Sequence, residues 1–251
     1  MFVAASTSCI PGESLVDIFD RLVDLEYANI ELVIGDQGTI APSLVADQHE
    51  AIVRLRLSFR RIVPIAIFFD VEPDSPAYLE QFTAACRLAK DCKIAVITVR
   101  AAVPGTPFNE EIDRLRQLVD IGLKYGVVVG IATEAGRITE TPETVGSLCK
   151  NVRGLGATLD LSHYIYNVPK PKAYESILPY VCHVRLRDTT QKVFQTRVGQ
   201  GIVDFGRLVV HLNKVEYQRA LCVDIVPLPN VDQASQDSEL RKMRFLMESL
   251  L

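Results

Sequence analysis

Apolar, β-branched residues concentrate in eight short runs, at 2–6, 29–34, 63–69, 94–100, 127–133, 157–161, 181–186 and 220–226. Each run is too short for a typical helix and is apolar at consecutive positions, which predicts a strand covered on both faces. Between the runs the period changes. Leu15, Ile18, Phe19, Leu22 and Val23 recur three and four apart and would form one buried stripe of a helix. Ser75-Pro76 and Thr141-Pro142 each read as a capping residue before a first-turn proline. Gly126 reads as the stop of a helix over 109–125, and a last helix is expected over about 235–250. Fully buried strands alternating with helices demand a parallel sheet with helices on its faces. Eight such units predict an α/β fold, a single closed (β/α)8 barrel over 1–251, with an open doubly wound sheet as the alternative. No linker, low-complexity segment or charge block interrupts the rhythm.

Composition narrows the range of functions. With 251 residues, 48% hydrophobic, the chain can bury one large core, and its net charge of -4 provides no global positive field for nucleic acid. Cysteines at 9, 86, 92, 149, 182 and 222 form no CxxC pair, so free thiols in a reducing, cytoplasmic setting are expected. The apolar start breaks at Ser6 without a basic leader, and no run approaches the ~18 apolar residues of a membrane span. No membrane partner is therefore expected, while homo-oligomerisation stays open.

A barrel gathers its chemistry at the C-terminal ends of the strands. There the last four strands offer Glu134, Asp160, His183 and Asp224, three carboxylates and an imidazole. That mostly hard donor set suits one divalent metal, Mn²⁺, Mg²⁺ or Co²⁺, and also tolerates Zn²⁺. His163 follows Asp160 by three residues and could reach the same pocket. Glu140, six residues past Glu134, could lean over the mouth and move a proton. His183, Arg185 and Arg187 alternate along one strand and share a face, with Arg187 nearest the rim, where it could grip a substrate oxygen. Gly199-Gln200-Gly201 could cradle a phosphate on backbone N–H groups or be a simple turn. Each carboxylate also has a plain reading as a helix cap, and the arginines could neutralise buried acids such as Asp188 or Glu140. His49 and His211 lie in helical segments without a neighbouring ligand and read as packing residues.

The segments ATEAGRITE, ATLDLSHY, CHVRLRD and VGQGIVDF together resemble the xylose isomerase-like barrel superfamily of sugar phosphate isomerases and epimerases, over nearly the whole chain. The resemblance implies Glu134, Asp160, His183 and Asp224 as metal ligands and His163 as a substrate contact. It further implies an isomerase or epimerase acting on a sugar or sugar-like polyol or ketone through an enediolate. Glu134 or Asp224 would carry the proton, Glu140 would assist, and Arg185 and Arg187 would join His163 in holding the small-molecule substrate. Asp224 stands where the family has glutamate, which leaves a dehydratase or a ligand-binding barrel as alternatives. Val193 and Gln195 occupy positions where the AP endonuclease branch has aspartate and histidine, which disfavours a repair enzyme.

Overall fold

A computed structural model describes residues 1–38, 40–58 and 61–251. Strands β1 (Phe2–Ser6), β2 (Asn29–Gly35), β3 (Val63–Asp70), β4 (Val96–Val99), β5 (Val128–Ala132), β6 (Leu155–Asp160), β7 (Val181–Leu186) and β8 (Ala220–Val223) pair in parallel, each with the next, and β1 pairs with β8 to close the barrel. The open-sheet alternative is thereby excluded. All six residues of β6 are buried, as the continuous apolar run requires when helices cover the outside and side chains fill the interior.

The covering helices are α1 (Leu15–Asp24), α2 (Val45–Ser58), α3 (Tyr78–Cys92), α4 (Phe108–Tyr125), α5 (Pro142–Asn151), the single turn α6 (Ser162–Ile165), α7 (Phe205–Lys214) and α8 (Gln233–Glu248). Ile18, Phe19 and Leu22 are the buried stripe of α1, whose Ser14 cap accepts from the Asp17 N–H. Thr141 caps α5 ahead of Pro142, and Gly126 ends α4 at φ 73°, in the left-handed region that favours glycine. Ser75-Pro76 does not start a helix. The Ser75 carbonyl accepts from the Tyr78 N–H in a turn, and α3 begins at Tyr78 behind Ala77, without a side-chain cap.

Outside β3, Phe69 meets Tyr78 and Phe82 of α3 edge-on, with ring centroids 5.3 and 5.7 Å apart, locking that helix to the sheet. All six cysteines are free and buried. Among the described residues no helix is long and apolar enough to cross a membrane.

Candidate active site

Strand register determines which side chains meet inside the barrel. Across β6 and β7, Thr158 pairs with His183 and Asp160 with Arg185. Because side chains alternate, His183, Arg185 and Arg187 point inward in successive layers, and it is Arg185 that stands level with Asp160. His183 lies one layer deeper, buried, with its Nε2 2.9 Å from Glu31 Oε2 on β2. Arg185 Nε lies 3.1 Å from Glu31 Oε1, and its Nη2 lies 3.1 Å from Asp224 Oδ1. Arg187 Nε lies 3.2 Å from Asp160 Oδ2, while its Nη2 donates to Asp224 Oδ2. The Ser8 hydroxyl donates to the other oxygen of Asp224.

These partners govern the protonation states. Burial would raise the Asp224 pKa, but Arg185, Arg187 and the Ser8 hydrogen bond outweigh it and hold the carboxyl at about 2. Glu31 is likewise lowered against its burial, by Arg185 and by the His183 hydrogen bond. Arg185 is fixed as a cation, because Asp224 and Glu31 overcome its burial. Burial lowers the His163 pKa, and its Nδ1 accepts from the Ala135 N–H at 3.1 Å. The ring is thus neutral near pH 7 with its proton on Nε2, which lies 3.9 Å from Asp160 Oδ2.

The other half of the mouth is built on β3 to β5 and the loops that follow them. Arg100 bonds both oxygens of Glu134 and reaches Glu72 at 2.7 Å and Asp70 at 3.3 Å. Arg137 grips Glu72 through two nitrogens, at 2.6 and 2.8 Å. Burial raises the Asp70 pKa despite Arg100. Between the two halves opens a cavity of about 230 Å³, lined by Asp70, Arg100, Glu134, Asp160, His163, Arg185 and Arg187 among others, with Phe68 and Phe194 as apolar walls.

Glu134, Asp160, His163, Arg185 and Arg187 reach one cavity. The other residues singled out from sequence lie outside its lining. His183 is held one layer below by Glu31, and Asp224 is engaged by both arginines, so neither is among the residues lining that cavity. Glu140 is exposed on the α5 approach, where its backbone carbonyl accepts from Lys172 Nζ at 2.5 Å. The GxG loop spends its donors internally, with the Gly199 and Gly201 N–H groups both 2.9 Å from Asp188 Oδ2. A Cβ on Gly201 would lie 1.8 Å from Asp188 Oδ1, which explains the glycine without a phosphate.

Glu31, Asp70, Arg100 and Ser8 were missed by sequence reasoning. Glu31 carried a usable signal, since it is the one charge inside an otherwise apolar strand, Asn29–Gly35.

Glu31, His183 and Cys222 bring ligand atoms within 4.8 Å of one another and could hold an ion, but Glu31 is already shared by His183 and Arg185, and burial raises the Cys222 thiol well above its ordinary range. The ligand set expected from sequence fits no better, because Arg100, Arg185 and Arg187 stand against its three carboxylates. At ~4 Å and an effective dielectric of ~20, each pair of like unit charges costs about 4 kcal/mol, and a divalent ion would double that against each guanidinium. As arranged, the four ligands expected from sequence do not fit a divalent ion.

The fold and its mouth define a class, a parallel barrel with clustered acid, base and guanidinium groups at the strand ends. The chain belongs to the xylose isomerase-like TIM barrel family, whose model matches residues 19–243. It is similar in structure to a D-tagatose 3-epimerase-like protein, with TM-score 0.75, 18% identity and 99% of each chain covered. A xylose isomerase domain protein from Planctomyces limnophilus matches with TM-score 0.78 and 17% identity, over 100% of this chain and 96% of the other. An IOLI protein with a bound zinc atom matches with TM-score 0.76 and 16% identity, over 100% and 98%. No curated protein matches the sequence.

Proposed function

We propose that this protein is an isomerase or epimerase that moves a proton beside the carbonyl of a sugar or a sugar-like keto compound. The observation that supports this most directly is the meeting of Asp70, Glu134, Asp160, the Nε2–H of His163 and Arg187 around one cavity of about 230 Å³. That volume lies below the range typical of drug-sized ligands, which favours a small, oxygen-rich substrate. Structural neighbours include sugar epimerases and a probable dehydratase.

In this reading Asp70 is the proton carrier best matched to the task. It lines the cavity, and its raised pKa makes it a stronger base than an ordinary carboxylate. Glu134, tied to the same Arg100, serves the neighbouring carbon. His163 Nε2–H and Arg187 orient substrate oxygens, and Asp160 Oδ2, buried without a hydrogen-bond donor, is available to accept from a substrate hydroxyl. Asp224 is excluded as a base by its pKa of about 2. A bound divalent metal would supply Lewis-acid polarisation of a carbonyl. The expected carboxylate ligands as folded are occupied by Arg100, Arg185 and Arg187 instead.

The test is solvent-deuterium incorporation, followed by NMR, across a panel of ketoses, aldoses, inososes and polyol-derived ketones. Exchange at the carbon next to the carbonyl, with or without net isomerisation, is expected for at least one member. Saturable binding of panel members without any exchange would instead make the barrel a ligand-binding protein.

A further inference from the structure

We propose that Arg185 and Arg187 form a fixed guanidinium pair that holds the substrate's developing oxyanion in place of a divalent cation. This rests on the isomerase reading for its substrate class, an α-hydroxy carbonyl compound whose vicinal oxygens become negative in the enediolate. Its geometry is independent of that reading.

Position is the first support. Register sets Arg185 level with Asp160, and the Asp224 N–H donates to the Leu186 carbonyl at 2.9 Å, which brings Arg187 beside Asp224. The two guanidinium groups thus sit between the carboxylates of β6 and the β8 end. Both are cations held by buried acids, and Asp224 lies behind them as a permanent anion.

Rigidity is the second. Arg185 packs over the Phe68 ring, 4.1 Å from its centroid, and Arg187 over Phe194 at 4.7 Å. Planar groups pinned by aromatic faces and carboxylates need little reorganisation when charge develops on a ligand, the condition for strong electrostatic stabilisation.

Spare donors are the third. Arg185 Nε and Arg187 Nε are buried without a hydrogen-bond partner, and both side chains line the cavity. Arg187 Nε and Asp160 Oδ2 approach to 3.2 Å, yet both are buried without a hydrogen bond, and the same is true of Arg185 Nε and Glu31 Oε1. These pairs are close but misaligned, which leaves directional guanidinium donors for a planar, doubly negative ligand.

The experiment uses oxalate, a planar dianion with vicinal oxygens, as the probe, and Mn²⁺ as the competing explanation. Chelator-dialysed wild-type protein is titrated with oxalate and separately with Mn²⁺ by calorimetry, beside Arg185→Lys, Arg185→Gln and Arg187→Lys. Wild type should bind oxalate in the presence of EDTA and take up no stoichiometric Mn²⁺. The lysine variants keep the charge that the buried acids need while losing the fork, and each should weaken oxalate at least ~10-fold. Should Arg185→Gln fail to fold, the lysine variants still decide the matter. One Mn²⁺ per chain, abolished by Asp160→Asn, or oxalate binding only after Mn²⁺ is added, would overturn the proposal. No exchange on any carbohydrate by a protein that still binds oxalate through the arginines would defeat the isomerase reading and leave this one standing. Exchange abolished by EDTA and restored by Mn²⁺ would do the reverse.

Discussion

The two halves of the barrel mouth use the same pairs, arginine with carboxylate, to opposite ends. On β6 to β8 the pairs are dry. The Asp224 side chain is 3% exposed, with two guanidinium groups and a serine hydroxyl fixing it as an anion. On β3 to β5 they are wet. The Asp70 side chain is 33% exposed and shares Arg100 with Glu72 and Glu134, and its pKa is raised where that of Asp224 is depressed. The difference lies in the surroundings of each acid. Two guanidinium groups and a hydroxyl on Asp224 overwhelm desolvation, whereas at Asp70 the pull of Arg100 and Arg185 is offset by the nearby Glu134 and Glu72 carboxylates. One half is therefore a rigid field, and the other can exchange a proton.

The largest expected effect separates these roles. Asp70→Asn should lower substrate exchange by about 10²–10⁴-fold, the usual contribution of a general base, as read by initial rates. Since folding disfavours the ionised Asp70, removing its charge should not reduce stability at pH 7, as checked by urea midpoint. Unchanged exchange would move the proton carrier to Glu134 and erase the division of labour.

Next in size is Asp224→Ala, which strands two buried guanidinium groups and should cost about 3–5 kcal/mol in urea unfolding at pH 7. The sign of its pH dependence follows from the depressed pKa. The stability that Asp224 contributes is fully present above its unfolded pKa of about 3.9 and is lost as pH falls towards about 2. Wild type should therefore lose about 2–3 kcal/mol of its advantage over the variant across that window. An advantage that stays undiminished down to pH 2 would mean that the pair is not ionic.

The smallest effect expected is at Glu140. Its side chain is exposed and away from the cavity, so Glu140→Gln should leave exchange rates within about twofold and stability within about 0.5 kcal/mol. A large loss would show that the loop before α5 closes over the mouth during turnover.

The barrel was legible in the sequence because each unit declares itself locally. Continuous apolar runs gave the strands, threefold and fourfold spacing gave α1, and Thr141-Pro142 and Gly126 marked real helix ends. Ser75-Pro76 misled because a Ser-Pro turn and a capped helix start use the same residues. Within the site, alternation along β7 correctly put His183, Arg185 and Arg187 on one face. Which of them stands level with Asp160 depends on the stagger between β6 and β7, interrupted by an irregularity at Ala157/Thr158. Register across a barrel is a property of the closed sheet and is not written in either strand. The same limit hid Arg100, whose acids come from 28 and 34 residues away.

Carboxyl ¹³C NMR titration of Asp70 and Asp224 in one sample tests the contrast most directly. The account predicts that Asp224 titrates near 2 and Asp70 above its ordinary value of 3.8. Finding both carboxyls at or below that ordinary value would contradict it, because the open half of the mouth would then hold no base stronger than an ordinary carboxylate.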